Sequence, residues 1–378
     1  MAESNTFTGT IASVRDTYQK LTSLDRWAIG VQWACFNKSP FMKAVALEGF
    51  GVDAMKSADF FGAATPTGRI IVYDSGKYGI RGAVFATAPN PYFVGRLGTF
   101  TPELIEGGDE FAYSWHRLVE TTFIPDVDVD DNRAGLIDIK AQKMEGMKQK
   151  YVEGFNYAIL GHSSAPDYST MGPRAVYSDL PNLISVTQTR TVGAIPTTNS
   201  FWQNGHKAIT SIGGGGEMDR PLVLRRSMMK AKNDRLALAE TTDDYLFVAT
   251  QGGHQLYDRL MYADMIQGGR GGAFVRNAKY DSAGIKHHLF DGDPMVWDGG
   301  VTVPYTCTAG TECIYGINIP NFFISLRTEE NFKVSEWEPP REHDVQKTYV
   351  SSIKTRFTPG VISRRPHFVC YNIPACAD

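Results

Sequence analysis

The densest cluster of potential metal ligands in the chain is the acidic run Asp126-Val-Asp-Val-Asp-Asp131. Alternating aspartates open an EF-hand calcium loop, in which the sixth position is glycine and the twelfth a bidentate glutamate. Here Asp131 and Ile137 hold those two positions. Because the run lies between a strand pattern and a helical pattern, we predict that it forms a turn and caps a helix.

Two further groups have residue types that could do chemistry. His287 and His288 are adjacent in a strand pattern, so their side chains point to opposite faces and do not easily share a metal. The glycine run 213–216 lacks the following Lys-Ser or Lys-Thr of a phosphate-binding loop. The sequence also contains no GxSxG or HExxH motif. We predict no enzyme activity, no cofactor and no metal; a site assembled from separate segments is the alternative.

The cysteines are odd in number, five in all. Two pairs, Cys307 with Cys313 and Cys370 with Cys376, are six residues apart. This spacing allows small disulfide loops or a share in a metal site, but it differs from the CxxC spacing typical of zinc. We predict free, mostly buried thiols, as in a protein made in the cytoplasm.

Length and charge limit the class of protein. The 378 residues, 42% of them hydrophobic, exceed the ~250 to 300 at which one core stops growing, so two or more lobes are expected. A net charge of −3 argues against a dedicated nucleic-acid-binding protein, which carries a basic surface. The chain has no 18-residue apolar run and no signal-peptide pattern at its start, so we expect no membrane association.

The strongest periodic pattern is a strand from Phe111 to Phe123, followed by one long amphipathic helix over about residues 131–160. About thirty residues at 1.5 Å each would make it roughly 45 Å long, well above the average helix. The apolar positions predicted to pack are Leu136, Ile139, Met144, Met147, Tyr151, Phe155 and Ile159.

Patterns on either side of this helix are shorter. Before it, strands at 69–73 and 78–85, joined by a turn at 74–76, begin an extended β excursion. After it, Leu183 to Val186 reads as a short buried strand, and helices and strands then alternate as in an α+β lobe. Near the end, a strand at 349–357, a turn at 358–360 and a strand at 367–373 predict a long hairpin on which the helix lies.

Several short segments together carry a resemblance to a known family: Phe111 to Leu160, Thr191 to Ile195, Thr198 to Trp202, Tyr245 to Thr250 with Leu256-Tyr257, Phe290 to Asp298, Ile314 to Ile319, Asn331 to Val334 and Glu338 to Pro340. In this order they resemble the major capsid proteins of tailed bacteriophages, which have the Hong Kong 97-like fold. The similarity covers nearly the whole chain as architecture, through motifs that are individually short.

The resemblance implies an α+β fold of four parts. These are an N-terminal arm (1–65), an E-loop (66–124), a peripheral domain (125–180 and 338–378, with the spine helix at about 131–160) and an axial domain (181–337). E-loop side chains that could contact a neighbouring subunit are Arg69, Lys77, Arg81 and Arg96. Flexible axial-domain loops would contain Gly213, Gly214, Gly215, Gly216, Gly268, Gly269, Gly271 and Gly272.

The resemblance also implies a function in the virion. Copies of the chain would form pentamers and hexamers of an icosahedral shell around double-stranded DNA, held by weak non-specific contact. Expected partners are a portal protein, a separate scaffolding protein and, in some shells, a decoration protein. The chain would lie in the virion capsid, and in the host cytoplasm during assembly. We predict no Lys-to-Asn crosslink. An encapsulin-like cellular compartment and a soluble α+β enzyme are the alternatives.

Overall fold

The protein is described by a computed structural model. The structure describes residues 28, 30–32, 34–47, 70–73, 80–84, 109–131, 139–161, 178–188, 190–209, 219–236, 244–258, 278–282, 285, 287–303, 307, 310–338 and 348–374. None of the described helices has both the length and the apolar character needed to cross a membrane.

The described residues contain both helices and strands. The helices are α1 (residues 34–47, with a bend at Ser39), α2 (Asp126–Asp131), α3 (Ile139–Leu160), α4 (Leu180–Leu183), α5 (Asp219–Leu236), α6 (residues 251–258) and α7 (Ala278–Ser282). The strands are β1 (Ile70–Tyr73), β2 (Ile80–Val84), β3 (Asp109–Tyr113), β4 (His116–Pro125), β5 (Thr191–Val192), β6 (Ile195–Pro196), β7 (Gly205–Ala208), β8 (Tyr245–Ala249), β9 (His288–Phe290), β10 (Asp293–Trp297), β11 (Thr311–Asn318), β12 (Phe322–Arg327), β13 (Lys333–Val334), β14 (Thr348–Val361) and β15 (Phe368–Pro374).

β14 is the central strand of a five-stranded sheet. It pairs antiparallel with the whole of β4, from Thr348 opposite Pro125 to Phe357 opposite His116. β12 and β13 pair with the other edge of β14, and β1 joins parallel to β12. Along β4, Leu118 and Ile124 are buried. From residue 119 to residue 123, exposed and half-buried side chains alternate, as expected of a sheet covered on one face.

A second sheet has six strands in the order β7-β15-β11-β8-β10-β9. All five residues of β8 are buried, which is typical of a central strand covered on both faces. β9 and β10 form a hairpin, with Phe290 opposite Asp293.

α3 packs against β4 and β14 of the first sheet. Of these, only β14 contains a strand of the hairpin on which the helix was predicted to lie. The 22 residues of α3 make it about 33 Å long. Of the predicted packing positions, Met144, Met147, Tyr151, Phe155 and Ile159 are buried, and Ile139 is half-buried. Leu136 lies outside the described residues. The acidic run is a separate short helix, α2, where a turn was predicted.

Two predicted strand pairings are wrong. β1 and β2 do not form a hairpin, because β1 pairs with β12 and β2 pairs with β3. The C-terminal hairpin is also absent, since β14 continues through the predicted turn and β15 joins the six-stranded sheet. Glycine at position 360 allows β14 to continue beside β12, because the Phe323 ring occupies the space that a side chain of residue 360 would need. A Cβ on Gly360 would lie 2.5 Å from this ring. Residues Thr358 to Gly360 are therefore held in the β12 pairing.

Two further local predictions are wrong. Leu183 ends a short helix, α4, where a strand was expected, because the Asp179 carboxylate caps the helix by accepting from the Asn182 amide at 2.9 Å. The strand predicted from Phe111 to Phe123 is interrupted at residues 114 and 115, so that β3 and β4 belong to different sheets.

Candidate subunit interface

The root of the predicted E-loop is fixed to the body of the subunit through β3. The Ala112 amide donates to the Gly193 carbonyl at 2.8 Å. The hydroxyl of Tyr113 donates to the Val361 carbonyl at 3.0 Å and accepts from the Val361 amide at 3.3 Å. Burial raises the pKa of this hydroxyl, so it stays protonated and keeps the donated bond. Both residues therefore tie β3 to the body of the subunit by hydrogen bonds.

Aromatic packing reinforces the same root. The Phe111 ring stacks on Trp202 at 6.3 Å between ring centres. The Trp202 indole in turn donates to the Val192 carbonyl at 2.9 Å. Gly193 has a φ of +57°, and a Cβ at this position would lie 2.9 Å from the Tyr113 ring. The turn between β5 and β6 can therefore approach β3 only with glycine here.

The N-terminal segment is also part of the core. Ser39 caps the second part of α1, since its hydroxyl accepts from the Met42 amide at 3.2 Å. The same hydroxyl donates to the buried Asp298 carboxylate, which also accepts from the Phe41 amide at 3.3 Å and the Gly300 amide at 3.0 Å. Phe41 and Leu47 are fully buried. The described part of the predicted arm thus packs within its own subunit.

Exposed apolar side chains concentrate on one face of the ribbon formed by β4 and β14. Val119 is 40% exposed, Phe123 63% and Val350, which is paired with Phe123, 37%. Val127, just beyond the end of β4, is 67% exposed. Such a group, on the face opposite to α3, is typical of a surface that contacts another protein.

The charges on this ribbon are unevenly placed. Near one end, Arg117 lies 3.0 Å and Arg356 2.6 Å from the Glu330 carboxylate. Two guanidinium groups share this single carboxylate, so the cluster keeps a net positive charge. The opposite end leads into α2, which has Asp126 and Asp128 in its first turn. The ribbon is therefore basic at one end and acidic at the other.

Of the four E-loop side chains predicted to contact a neighbour, the structure describes only Arg81. Arg81 is exposed on β2 and lies 3.8 Å from Glu110 on β3 of the same chain, a surface pair of small energetic value. Arg69, Lys77 and Arg96 lie outside the residues whose side chains are described. The glycine loops at 213–216 and 268–272 also lie outside the described residues.

His287 and His288 lie in different surroundings. His287 is buried, and its Nδ1 is 2.9 Å from the Ile285 carbonyl. His288 lies 3.3 Å from Asp258, with its ring 4.6 Å from that of His254. Across the described residues, no three His, Cys, Asp or Glu side chains are close enough together to hold a metal ion.

The described cysteines are free thiols. Cys35, Cys313 and Cys370 are buried and Cys307 is half-buried. Burial raises the pKa of all four thiols, which makes them poor nucleophiles. Cys376 lies outside the described residues.

Two buried cations were not predicted from the sequence. The Lys232 ammonium, fully buried, lies 3.2 Å from Asp291 and 2.7 Å from Asp293. Lys232 follows the buried Leu224 and Met228 at steps of four residues along α5, so it lies on the same buried face of the helix. A lysine at this spacing is the sequence signal that could have revealed the buried cation.

The second buried cation, Arg364, joins three segments. It donates to the Leu183 carbonyl at 2.8 Å, the Trp202 carbonyl at 3.0 Å and the Asn204 side chain at 2.6 Å. Burial lowers the pKa of this guanidinium to about 10, so it remains charged at neutral pH. Nothing in the sequence around Arg364 indicates this role.

No protein-family model and no curated protein matches the sequence. Solved structures do match. The cyanophage A-1(L) capsid has a TM-score of 0.52 at 12% identity, over 81% of this chain and 90% of that one. The cyanophage P-SCSP1u capsid has a TM-score of 0.45 at 12% identity, over 82% and 87%. The SrpI encapsulin of Synechococcus elongatus PCC 7942 has a TM-score of 0.45 at 11% identity, over 82% and 86%.

At this level of identity, the likeness to the A-1(L) capsid shows the fold alone. The chain has the α+β, Hong Kong 97-like fold of phage capsid proteins, which confirms the fold predicted from the sequence.

Proposed function

We propose that the chain is the major capsid protein of a tailed double-stranded DNA bacteriophage. The observation that carries this proposal is the capsid fold, shared with the cyanophage A-1(L) capsid over most of both chains. The exposed apolar face of β4 and β14 supports it, because a shell subunit needs such surfaces to bind its neighbours.

The proposed assembly follows the family's plan. Copies form pentamers and hexamers of an icosahedral shell, with the E-loop (66–124) lying over a neighbouring subunit. The peripheral domain is assigned to 125–180 and 338–378, the axial domain to 181–337 and the N-terminal arm to 1–65. Strand pairing crosses these sequence boundaries, since β12 joins the sheet of β14 and β15 joins the sheet of β11.

The proposed role in the virion is structural. The shell encloses packaged DNA, which the chain's net charge of −3 allows it to contain without strong binding. A portal protein and a separate scaffolding protein take part in assembly in the host cytoplasm, and a decoration protein is a further candidate partner.

Electron microscopy of the purified full-length chain tests this proposal, alone and co-expressed with the scaffolding protein of its own genome. We expect closed shells tens of nanometres wide. Discrete small oligomers under both conditions would contradict the shell function. Nucleic acid protected from nuclease inside particles from infected cells would support the phage assignment, whereas an enclosed cargo enzyme would favour an encapsulin-like compartment.

A further inference from the structure

β4 is a long edge strand with one open side. All ten of its residues pair with β14, and in the described part of the chain the other edge of residues 117–125 makes no backbone hydrogen bond. At about 3.4 Å per residue, the nine residues of this edge span roughly 31 Å. Proteins usually protect such edges with prolines, charges or bulges. Here proline occurs only at the last residue, Pro125, and the pairing with β14 has no bulge.

The side chains on the open face of β4 are arranged symmetrically about its centre. Thr121 is exposed, with Val119 two residues before it and Phe123 two residues after it. If two copies of β4 pair antiparallel about Thr121, Val119 of each copy lies directly opposite Phe123 of the other. Pairs of an aromatic and a β-branched side chain across antiparallel strands are favourable.

The charges fit the same register. Arg117 comes opposite Pro125 of the second copy, next to the aspartates in the first turn of α2. The net positive cluster of Arg117, Arg356 and Glu330 therefore meets the acidic end of the ribbon twice, once on each side of the two-fold axis. A shift of one residue would turn these side chains to opposite faces and lose both matches.

We propose that β4 pairs with β4 of a second copy of this chain, antiparallel and centred on Thr121, at a two-fold contact between subunits. The pairing joins two five-stranded sheets into one continuous sheet and brings each exposed Val119 against Phe123 of the other copy. It rests on the proposed shell function, because a closed shell needs two-fold contacts between its subunits.

Cysteine crosslinking in the full-length chain tests the register. Thr121→Cys should form a covalent dimer under mild oxidation, because only the central residue meets its own counterpart. Val119→Cys alone and Phe123→Cys alone should not, because each residue lies about 13 Å along the strand from its counterpart, beyond disulfide reach. Co-assembled Val119→Cys and Phe123→Cys chains should form the dimer. The unsubstituted chain, with its native cysteines, is the control.

Three results would overturn the pairing. In the first, Thr121→Cys chains in intact shells form no disulfide and react with a maleimide dye, which would show that the edge of β4 is open. Another is Thr121→Cys that is protected from the dye but not crosslinked, which shows that a different segment, such as the E-loop of a neighbour, covers the edge. The third is self-crosslinking of Val119→Cys, which shows a different register.

Hydrogen exchange of the unsubstituted chain gives a second measurement that no variant can disturb. We expect segment 117–125 to exchange more slowly in the assembled state than in the free subunit, because the open-edge amides become hydrogen-bonded. Unchanged exchange would contradict the pairing. The two proposals fail separately: shells without the crosslink overturn only the pairing, whereas small crosslinked dimers that never form shells overturn only the shell function.

Discussion

Phe155 lies where the long helix, the N-terminal segment and the main sheet meet. Its side chain is fully buried, and its ring centre lies 6.0 Å from that of Phe36, 5.4 Å from Phe332 and 4.8 Å from Phe357. We expect Phe155→Ala to lower the free energy of unfolding by roughly 3 to 5 kcal/mol, because it removes buried area and leaves a cavity. Denaturant unfolding of unassembled subunits measures this change.

Lys150→Ala is the matched control for Phe155→Ala, since Lys150 lies on the same helix with its side chain exposed. We expect it to change the free energy of unfolding by less than about 0.5 kcal/mol. Equal effects of the two substitutions would show that the aromatic cluster does not stabilise the subunit.

His367 gives the subunit a sensitivity to acid. Its Nδ1 accepts a hydrogen bond from the Asn318 amide at 3.2 Å, and burial lowers its pKa from the ordinary value of 6.5 to about 3. The unfolded chain takes up this proton near pH 6.5, whereas the folded chain does not until about pH 3. The stability contributed by neutral His367 is therefore present above pH 6.5 and is lost as the pH falls toward 3.

His367→Asn tests this linkage, because the asparagine oxygen can accept the Asn318 amide but does not titrate. Between about pH 6 and pH 4, we expect the free energy of unfolding of the variant to fall less steeply, by up to about 1.4 kcal/mol per pH unit. Urea unfolding at several pH values measures the slope. His206→Asn, at an exposed position, should leave the slope unchanged. The same slope in both variants would contradict the assignment.

At the scale of elements, the buried carboxylate of Asp298 joins the end of β10 to the start of the second part of α1. Asp298→Ala would leave the Ser39 hydroxyl and the Phe41 amide without their acceptor in the core. Each such loss costs roughly 1 to 3 kcal/mol, so we expect unfolding free energy to fall by more than about 2 kcal/mol. Hydrogen exchange should also become faster in residues 40–47.

Asp128→Ala is the control for Asp298→Ala, because Asp128 is an exposed aspartate in the short helix α2. It should leave exchange in residues 40–47 unchanged. If the Asp298 variant also keeps full protection there, apolar burial alone holds the helix in place.

Periodicity predicted most elements of this fold but not their partners. The two-residue alternation at 349–357 correctly indicated a strand, yet it shows only which side chains face the core. The assignment of β15 to the second sheet depends on contacts between segments that are distant in sequence, such as Ile314 opposite Cys370. The alternation in β4 showed its two faces, but its open edge became visible only once β14 had been placed beside it.

The helix-start signal Ser39-Pro40 was available in the sequence, because serine is a favoured cap and proline a favoured first residue. It would have predicted the second part of α1. The carboxylate that completes this cap, Asp298, is more than 250 residues away along the chain. No local pattern could have paired them.

At the scale of the whole molecule, the proposed shell requires a subunit that folds alone but reaches a neighbour through its E-loop. The described part of the proposed E-loop ends at the β2–β3 hairpin, whose last described pair is Val84 opposite Asp109. Because Val84 and Asp109 face each other across the two strands, residues 86–107 can be replaced by a short Asn-Gly turn that closes the hairpin. The root contacts of Phe111 and Tyr113 remain in place.

We expect the shortened chain to unfold at the same denaturant concentration as the full chain, because the core contacts are kept, and to form no shells. Sedimentation and electron microscopy measure assembly, and a chain with residues 86–107 replaced by a Gly/Ser segment of equal length is the control. Failure of both variants would show that the E-loop side chains are needed; assembly of the equal-length variant alone would show that only its length matters. Normal shells from the shortened chain would contradict the role of the E-loop as the contact between subunits, and assembly would then depend on other surfaces such as the open edge of β4.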